Sequence, residues 1–423
     1  MILTGLFGLF LIGGVVVFSA YKSGSKDAAT IIVWGTIPQT EFSNIIKETS
    51  LYQSKIYNVQ YVEKSEENFD ANFIEALASG DGPDLFMLPN EKILRHRNKI
   101  FVIPYNVFTA RQFMDSFIEG AEIYMAPEGI LALPVSIDPL VMYWNRSIFT
   151  ETKLTQPPKY WDEFYNLANV ISKKDGALNI LRSAVAFGEF ANVSYAKEIV
   201  LNLAMQAGTP VTVWSGEKVQ SVFADSFKKP TTPAEAAVNF YTEFANPAKP
   251  AYSWNRSLPD STSYFLGGDL ALYFGFASEI LSLQLKNPNL NFDVATVPTS
   301  REGGVNVSFA RFNALAIAKS SKNPNAAFAV SSILSGMDGA KAFNKILKLP
   351  PARRDLLNQI PVDAYESVFY DSAIRAKAWL DPSPAETNVV FKNMIESITS
   401  GKARTSEAIS RTDKELSDLL LSR

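Results

Sequence analysis

The chain has 423 residues, long for a single domain, and its 47% hydrophobic and 20% charged content describes a globular protein with a real core. Its 40 Lys and Arg against 43 Asp and Glu leave a formal charge of −3, which gives no field to draw in nucleic acid. With no cysteine and one histidine, disulfides, thiolate nucleophiles, thiolate metal sites and multi-histidine centres are excluded, so no metal and no cofactor are expected.

Residues 1–20 carry no charged side chain, and a helix of that length reaches about 30 Å, the thickness of a bilayer core. They read as an export signal or a transmembrane anchor. Phe18 stands where cleavage after Ala20 would want a small residue, which favours a retained anchor. Lys22 and Lys26 follow it and, taken alone, would keep the body cytoplasmic, a rule that binds a long folded domain less than a short loop. Residues 21–30 form a polar tether.

Ile31-Ile32-Val33-Trp34 then reads as a buried strand closed by Gly35, 41–52 as a helix, 59–62 as a strand, 68–79 as a helix and 84–88 as a strand. Alternation with short connections predicts a parallel sheet covered by helices. His96, in the run Glu91-Lys92-Ile93-Leu94-Arg95-His96-Arg97, reads as part of a solvated surface segment. Residues 130–134 and 140–145 read as two strands joined through 135–139. Further on, helices are expected over 161–172, 193–208, 234–245 and 325–336, and strands over 181–188, 271–275, 292–298 and 314–318. The last hundred residues are mostly helical, with a break at Asp381-Pro382-Ser383-Pro384 before helices over 387–400 and 405–421.

Several patterns stand in order along the chain. They are Ala78-Ser79-Gly80-Asp81-Gly82-Pro83-Asp84-Leu85-Phe86, then Gly129 to Pro134 with Asp138, Leu140 to Asn145 and Phe149, then Pro157-Pro158 with Trp161-Asp162-Glu163-Phe164. Phe265-Leu266-Gly267-Gly268-Asp269-Leu270-Ala271-Leu272, Ala295-Thr296-Val297-Pro298, Lys322-Asn323-Pro324-Asn325-Ala326-Ala327 and Leu349-Pro350-Pro351-Ala352-Arg353-Arg354-Asp355 follow. Together, over about residues 30 to 400, they resemble the extracellular solute-binding proteins of the maltose-binding type that serve ABC importers. The departure is the missing lipobox cysteine, for which the apolar N-terminus could substitute.

The resemblance implies an α/β, two-lobed periplasmic-binding-protein-like fold of type II, with crossovers near 135–139, 295–299 and 347–350. Residues 31–136 with 298–346 would form lobe 1, and 137–297 with 347–423 lobe 2. A small solute, most often a saccharide, would enter the cleft and close the lobes about a hinge. Partners would be that solute, the importer's membrane subunits and, through 1–20, the outer face of the cell membrane; a monomer is expected.

Ligand-binding candidates follow the strand ends, where open α/β sheets take ligands. Trp34, Gly35 and Thr36 close the first strand, and Asn90 and Glu91 follow the third. Ser136 and Asp138 lie at the crossover, Glu189 and Asn192 at a helix start, and Phe274, Phe276 and Ser278 at a later strand end. Arg311 and Asn313 precede a first-lobe strand, and Trp379 stands where relatives often place a stacking aromatic. Each has a plainer reading as core, surface or ion pair. No catalytic residue is assigned. A wall-active glycosidase would need two carboxylates about 5–10 Å apart across the cleft. No G-x-S-x-G, H-E-x-x-H or P-loop pattern occurs. A tethered adhesin or scaffold on the same fold is the other alternative.

Overall fold

The computed structural model describes residues 28–301 and 304–422. The expected anchor at 1–20 lies outside them. Among the described residues no helix is long and apolar enough to cross a membrane.

The N-terminal part alternates as the pattern predicts: β1 (Ala29–Gly35), α1 (Gln39–Lys47), β2 (Tyr57–Glu63), α2 (Phe69–Ser79) and β3 (Leu85–Pro89). β1 lies between β2 and β3, parallel to both. Apolar residues fill β3 because both its faces are covered, whereas edge strand β2 alternates. Helix α1 ends at Lys47 rather than reaching 52, since Glu48 to Ser54 close a series of turns back onto Ile45, Ile46, Thr49 and Leu51.

The two strands expected on either side of 135–139 are one strand, β4 (Leu133–Asn145). Pro134 and Pro139 lack an amide donor, which made this stretch read as a connection. The strand survives because each half has its own partners. Residues 133–139 pair antiparallel with β10 (Ser308–Ile317), and 140–145 pair antiparallel with β8 (Leu270–Phe276) and β9 (Phe292–Thr296). β10 also pairs antiparallel with β3, and β5 (Ile180–Val185) runs parallel to β8, so the main path is β2-β1-β3-β10-β4-β8-β5.

Helix α3 (Glu163–Ile171) precedes β5, and between β5 and β8 come α4 (Ala196–Ala207), a hairpin of β6 (Thr212–Ser215) and β7 (Lys218–Ser221), and α5 (Pro233–Glu243). Gly208 ends α4 in the left-handed region at φ 109°, a conformation that costs glycine little. The Thr232 side chain caps α5, with Pro233 in its first turn. After β10 the chain is helical apart from a two-residue strand at Ala376–Lys377. Its helices are α6 (Pro324–Leu334), α7 (Met337–Leu347), α8 (Ala364–Ile374), α9 (Pro384–Thr399) and α10 (Thr405–Leu421), with a short turn of helix before α8.

Two cores result. The first gathers side chains from Ile31 to Ile137 and from Ala310 to Phe343, and the second those from Leu140 to Phe309 and most of Phe391 to Leu416. The change of core on β4 falls between Ile137 and Leu140, and on β10 between Phe309 and Ala310. Segment 349–380 serves both: Leu349, Phe369 and Trp379 join the second core, while Ala352, Leu357, Ala373, Ala376 and Leu380 join the first.

His96 is not on a solvated segment. It is 1% exposed, its Nε2 lies 3.0 Å from Asp70 Oδ1, and Phe73 and Phe86 meet its ring edge-on. Its basic neighbours Lys92 and Arg95 turn to the same carboxylate, at 3.1 and 2.9 Å.

Candidate ligand-binding site

The carboxyl end of β3 meets β10, which pairs on its other side with β4 where the two cores change over. On β10, Arg311 stands in register with Asp138 of β4, and Asn313 with Ser136. Strand alternation places these four side chains on one face of the sheet. Arg311 bridges one acid from each side: Nε donates to Glu91 at 3.2 Å, just past β3, and Nη2 to Glu198 at 3.3 Å, on α4. Its guanidinium lies 4.0 Å from the centroid of Phe276 and 5.4 Å from that of Tyr195, and those rings meet edge-on. Burial disfavours the charge on Arg311, yet Glu91, Glu198 and Asp138 together raise its pKa.

Asp138 accepts from the Ser278 amide at 2.9 Å and the Ser278 hydroxyl at 2.7 Å. Burial pushes its carboxyl up, against those bonds and the Arg311 charge. Next to Ser278, Glu279 accepts from the Tyr273 hydroxyl at 3.1 Å and the Phe276 amide at 3.1 Å, and burial raises its pKa as well. Asn90 Oδ1 accepts from the Phe312 amide at 2.7 Å, tying the end of β3 to β10. The buried Nδ2 of Asn90 and Oγ of Ser136 have no hydrogen-bond partner among the described residues.

Of the residues chosen from sequence, Asn90, Glu91, Ser136, Asp138, Phe276, Ser278, Arg311 and Asn313 thus stand together. Trp34, Gly35 and Thr36 end β1 two strands away. Trp34 is 7% exposed, with Phe73 edge-on at 6.4 Å and Lys64 Nζ 3.9 Å above its ring. At Gly35 the space a side chain would take is filled by Met87 and the Tyr61 hydroxyl, 2.6 and 2.8 Å from an ideal Cβ, so packing itself demands glycine. Thr36 is exposed.

Three candidates have partners within the second core. Glu189 pairs with Arg256 at 3.1 Å. Asn192 spends both ends of its amide on the Trp254 indole and the carbonyls of Asn255 and Leu258. Phe274 is 3% exposed within the Trp161, Phe164 and Phe187 rings. Trp379 is 2% exposed and edge-on to Phe391, so both faces of the indole are enclosed in this conformation.

Glu198 and Tyr195 were missed. Glu189 and Asn192 were chosen as flanking a helix start, but α4 begins at Ala196, and its first turn carries Glu198. Tyr195 caps that helix in the left-handed region at φ 58°, where sequence offers no glycine or asparagine to announce it. Among the described residues no group of three or more His, Asp or Glu could hold a metal ion.

Comparison with curated proteins returned no match. Among solved structures, a cyclo/maltodextrin-binding protein complexed with maltotetraose is 16% identical, with a TM-score of 0.75 over 94% of this chain and 98% of that one. The cyclic alpha-maltosyl-1,6-maltose binding protein from Arthrobacter globiformis is 14% identical, with a TM-score of 0.73 over 94% and 100%. The sugar-binding protein MalE from Xanthomonas citri is 18% identical, with a TM-score of 0.72 over 93% and 98%. These likenesses establish a mixed α/β fold matching that of two-lobed sugar-binding proteins. The family profile described as bacterial extracellular solute-binding protein matches residues 36–341, well over half of the sequence, and the chain belongs to that family.

Proposed function

We propose that the chain captures a saccharide outside the cytoplasm, in the cleft between two lobes, and delivers it to the membrane subunits of an ABC importer. The observation that carries this reading is the polar row on β4 and β10. Arg311, Asp138, Ser136 and Asn313 line one sheet face where the two cores meet, with Glu91 on one side and Glu198 on the other. Hydroxyl-rich ligands need this mixture of donors, acceptors and ring faces. Family membership supports solute capture, and the structural neighbours described above carry saccharide-binding names or ligands. The family and neighbours are binding proteins, which favours capture over turnover. Residues 1–20 would hold the body at the outer membrane face.

Calorimetry against linear and cyclic maltodextrins tests the reading. A bound sugar present at a hundred times its Kd should add about 2.7 kcal/mol of stability, visible as a rise in Tm, with the sugar recovered unchanged. No binding by any saccharide would overturn it, and cleavage of the bound sugar would favour the glycosidase alternative.

A further inference from the structure

The charges around Arg311 do not balance. One guanidinium faces Glu91, Glu198 and Asp138, and all three act on it electrostatically. Ser278 takes both oxygens of Asp138, but Glu91 and Glu198 each give only Oε1 to Arg311. Among the described residues their Oε2 atoms have no hydrogen-bond partner, although the side chains are only 24% and 10% exposed. The cations next to these glutamates in sequence are committed elsewhere: Lys92 to Asp70 at 3.1 Å, and Lys197 to Asp381 at 3.1 Å.

A second feature of the same face points to a ligand. Ser136, fully buried, stands opposite Asn313 and two residues from Asp138, so its side chain shares their face. Among the described residues its hydroxyl has no partner, and neither has the buried Asn90 amide nitrogen beside Glu91. Buried polar groups are ordinarily hydrogen-bonded, so a row with unused donors and unused carboxylate oxygens suits a ligand that both donates and accepts. The Nη1 group of Arg311, which makes no hydrogen bond among the described residues, can donate to a neutral ring or hydroxyl oxygen.

We propose that this row selects saccharides by charge, admitting neutral and amine-bearing sugars and refusing those with a carboxylate, phosphate or sulfate, with Glu91 and Glu198 as the determinants. The inference rests on the saccharide reading above. Hydroxyl or ammonium donors gain charge-assisted bonds to the free Oε2 atoms. An anionic group at that place meets two part-buried carboxylates that a single guanidinium already serves. At the effective dielectric of such a site, each carboxylate weakens an anion's binding by about tenfold or more.

The experiment is calorimetric titration of the full chain with tetrasaccharides of one α-1,4 linkage, built from glucose, glucosamine or glucuronic acid. The neutral or amine series should bind, and the glucuronate series should bind at least about tenfold more weakly. Glu198→Gln should narrow that gap by about tenfold and weaken the glucosamine series. Glu91→Gln, at the more exposed position, should act in the same direction and serves if the first variant does not fold. Glucuronate binding as tight as glucose, or a gap unchanged in both variants, overturns charge selection and leaves the saccharide reading standing. Silence from all three series overturns the saccharide reading and charge selection with it.

Discussion

His96 sits where acid should first be felt. Burial lowers its pKa, against the hydrogen bond and charge of Asp70, and Lys99 and Lys92 push the same way as burial. The folded protein therefore holds the imidazole neutral, while the unfolded chain takes up a proton below about pH 6.5. Unfolded chains then bind more protons than folded ones, so this group's stabilisation is complete above about pH 6.5 and is lost as pH falls below it. Asp70, held well below the usual carboxylate range by His96 and Lys92 despite its partial burial, loses its contribution only in stronger acid. Thermal melts should show Tm falling between pH 7 and pH 5, and His96→Gln should flatten that fall; equal slopes would place the sensitivity elsewhere. The sequence misdirected here because a run of Lys and Arg looks solvated. It gave no sign that three of its members converge on one aspartate contributed by another helix.

At the level of elements, periodicity located most of the longer helices and strands but missed the short helices Ala110–Ser116, Arg146–Glu151, Ser261–Leu266 and Ile280–Lys286, and it did not show what each element does. Helix α4 is buried on almost all sides, including its charged positions Lys197 and Glu198. Lys197 reaches Asp381 at 3.1 Å and Thr387 at 3.3 Å, pinning α4 to the Asp381-Pro382 break and the start of α9. Removing one member of such a pair strands the other charge in the interior, so Lys197→Met should cost about 3–5 kcal/mol in denaturant unfolding. The double change Lys197→Met with Asp381→Leu should recover much of that, and no recovery would mean that the aspartate's bonds to Thr387 and Ser383 matter more. The hairpin β6–β7 was overlooked although Thr212-Val213-Trp214-Ser215-Gly216-Glu217-Lys218-Val219-Gln220-Ser221 carries the signal, an alternating stretch turned by glycine at φ 61°. β4 was cut in two because prolines punctuate it. Whether a proline ends a strand depends on which amide its neighbours need, and that is a tertiary fact.

Over the whole molecule, the order of local patterns carried the α/β class, and much of the candidate site followed from strand ends. Ion-pair partners did not follow, because Glu91, Glu198 and Arg311 lie more than a hundred residues apart and meet only across the crossover. β10 feeds both cores, and nothing in its composition marks Phe309 from Ala310. If ligand capture closes the lobes, the crossover strands are where backbone rotation must occur. Small-angle scattering should then show a smaller radius of gyration on adding a binding sugar. An unchanged radius, with binding confirmed by calorimetry, would mean capture by a cleft that is already closed.

Strand β4 belongs to two ladders, and its first half finds its neighbours in β10 and in a bridge to Pro351, both made long after it. During synthesis or passage across a membrane, the leading part of the chain must therefore wait with an open sheet edge, unable to finish its own core. Such edges are where extended chains stick to one another, so the emerging polypeptide has a built-in interval of vulnerability and a need for protection by chaperones. A chain stopped short of Ser308 would lack the piece that closes the first core, whatever the quality of the residues already in place.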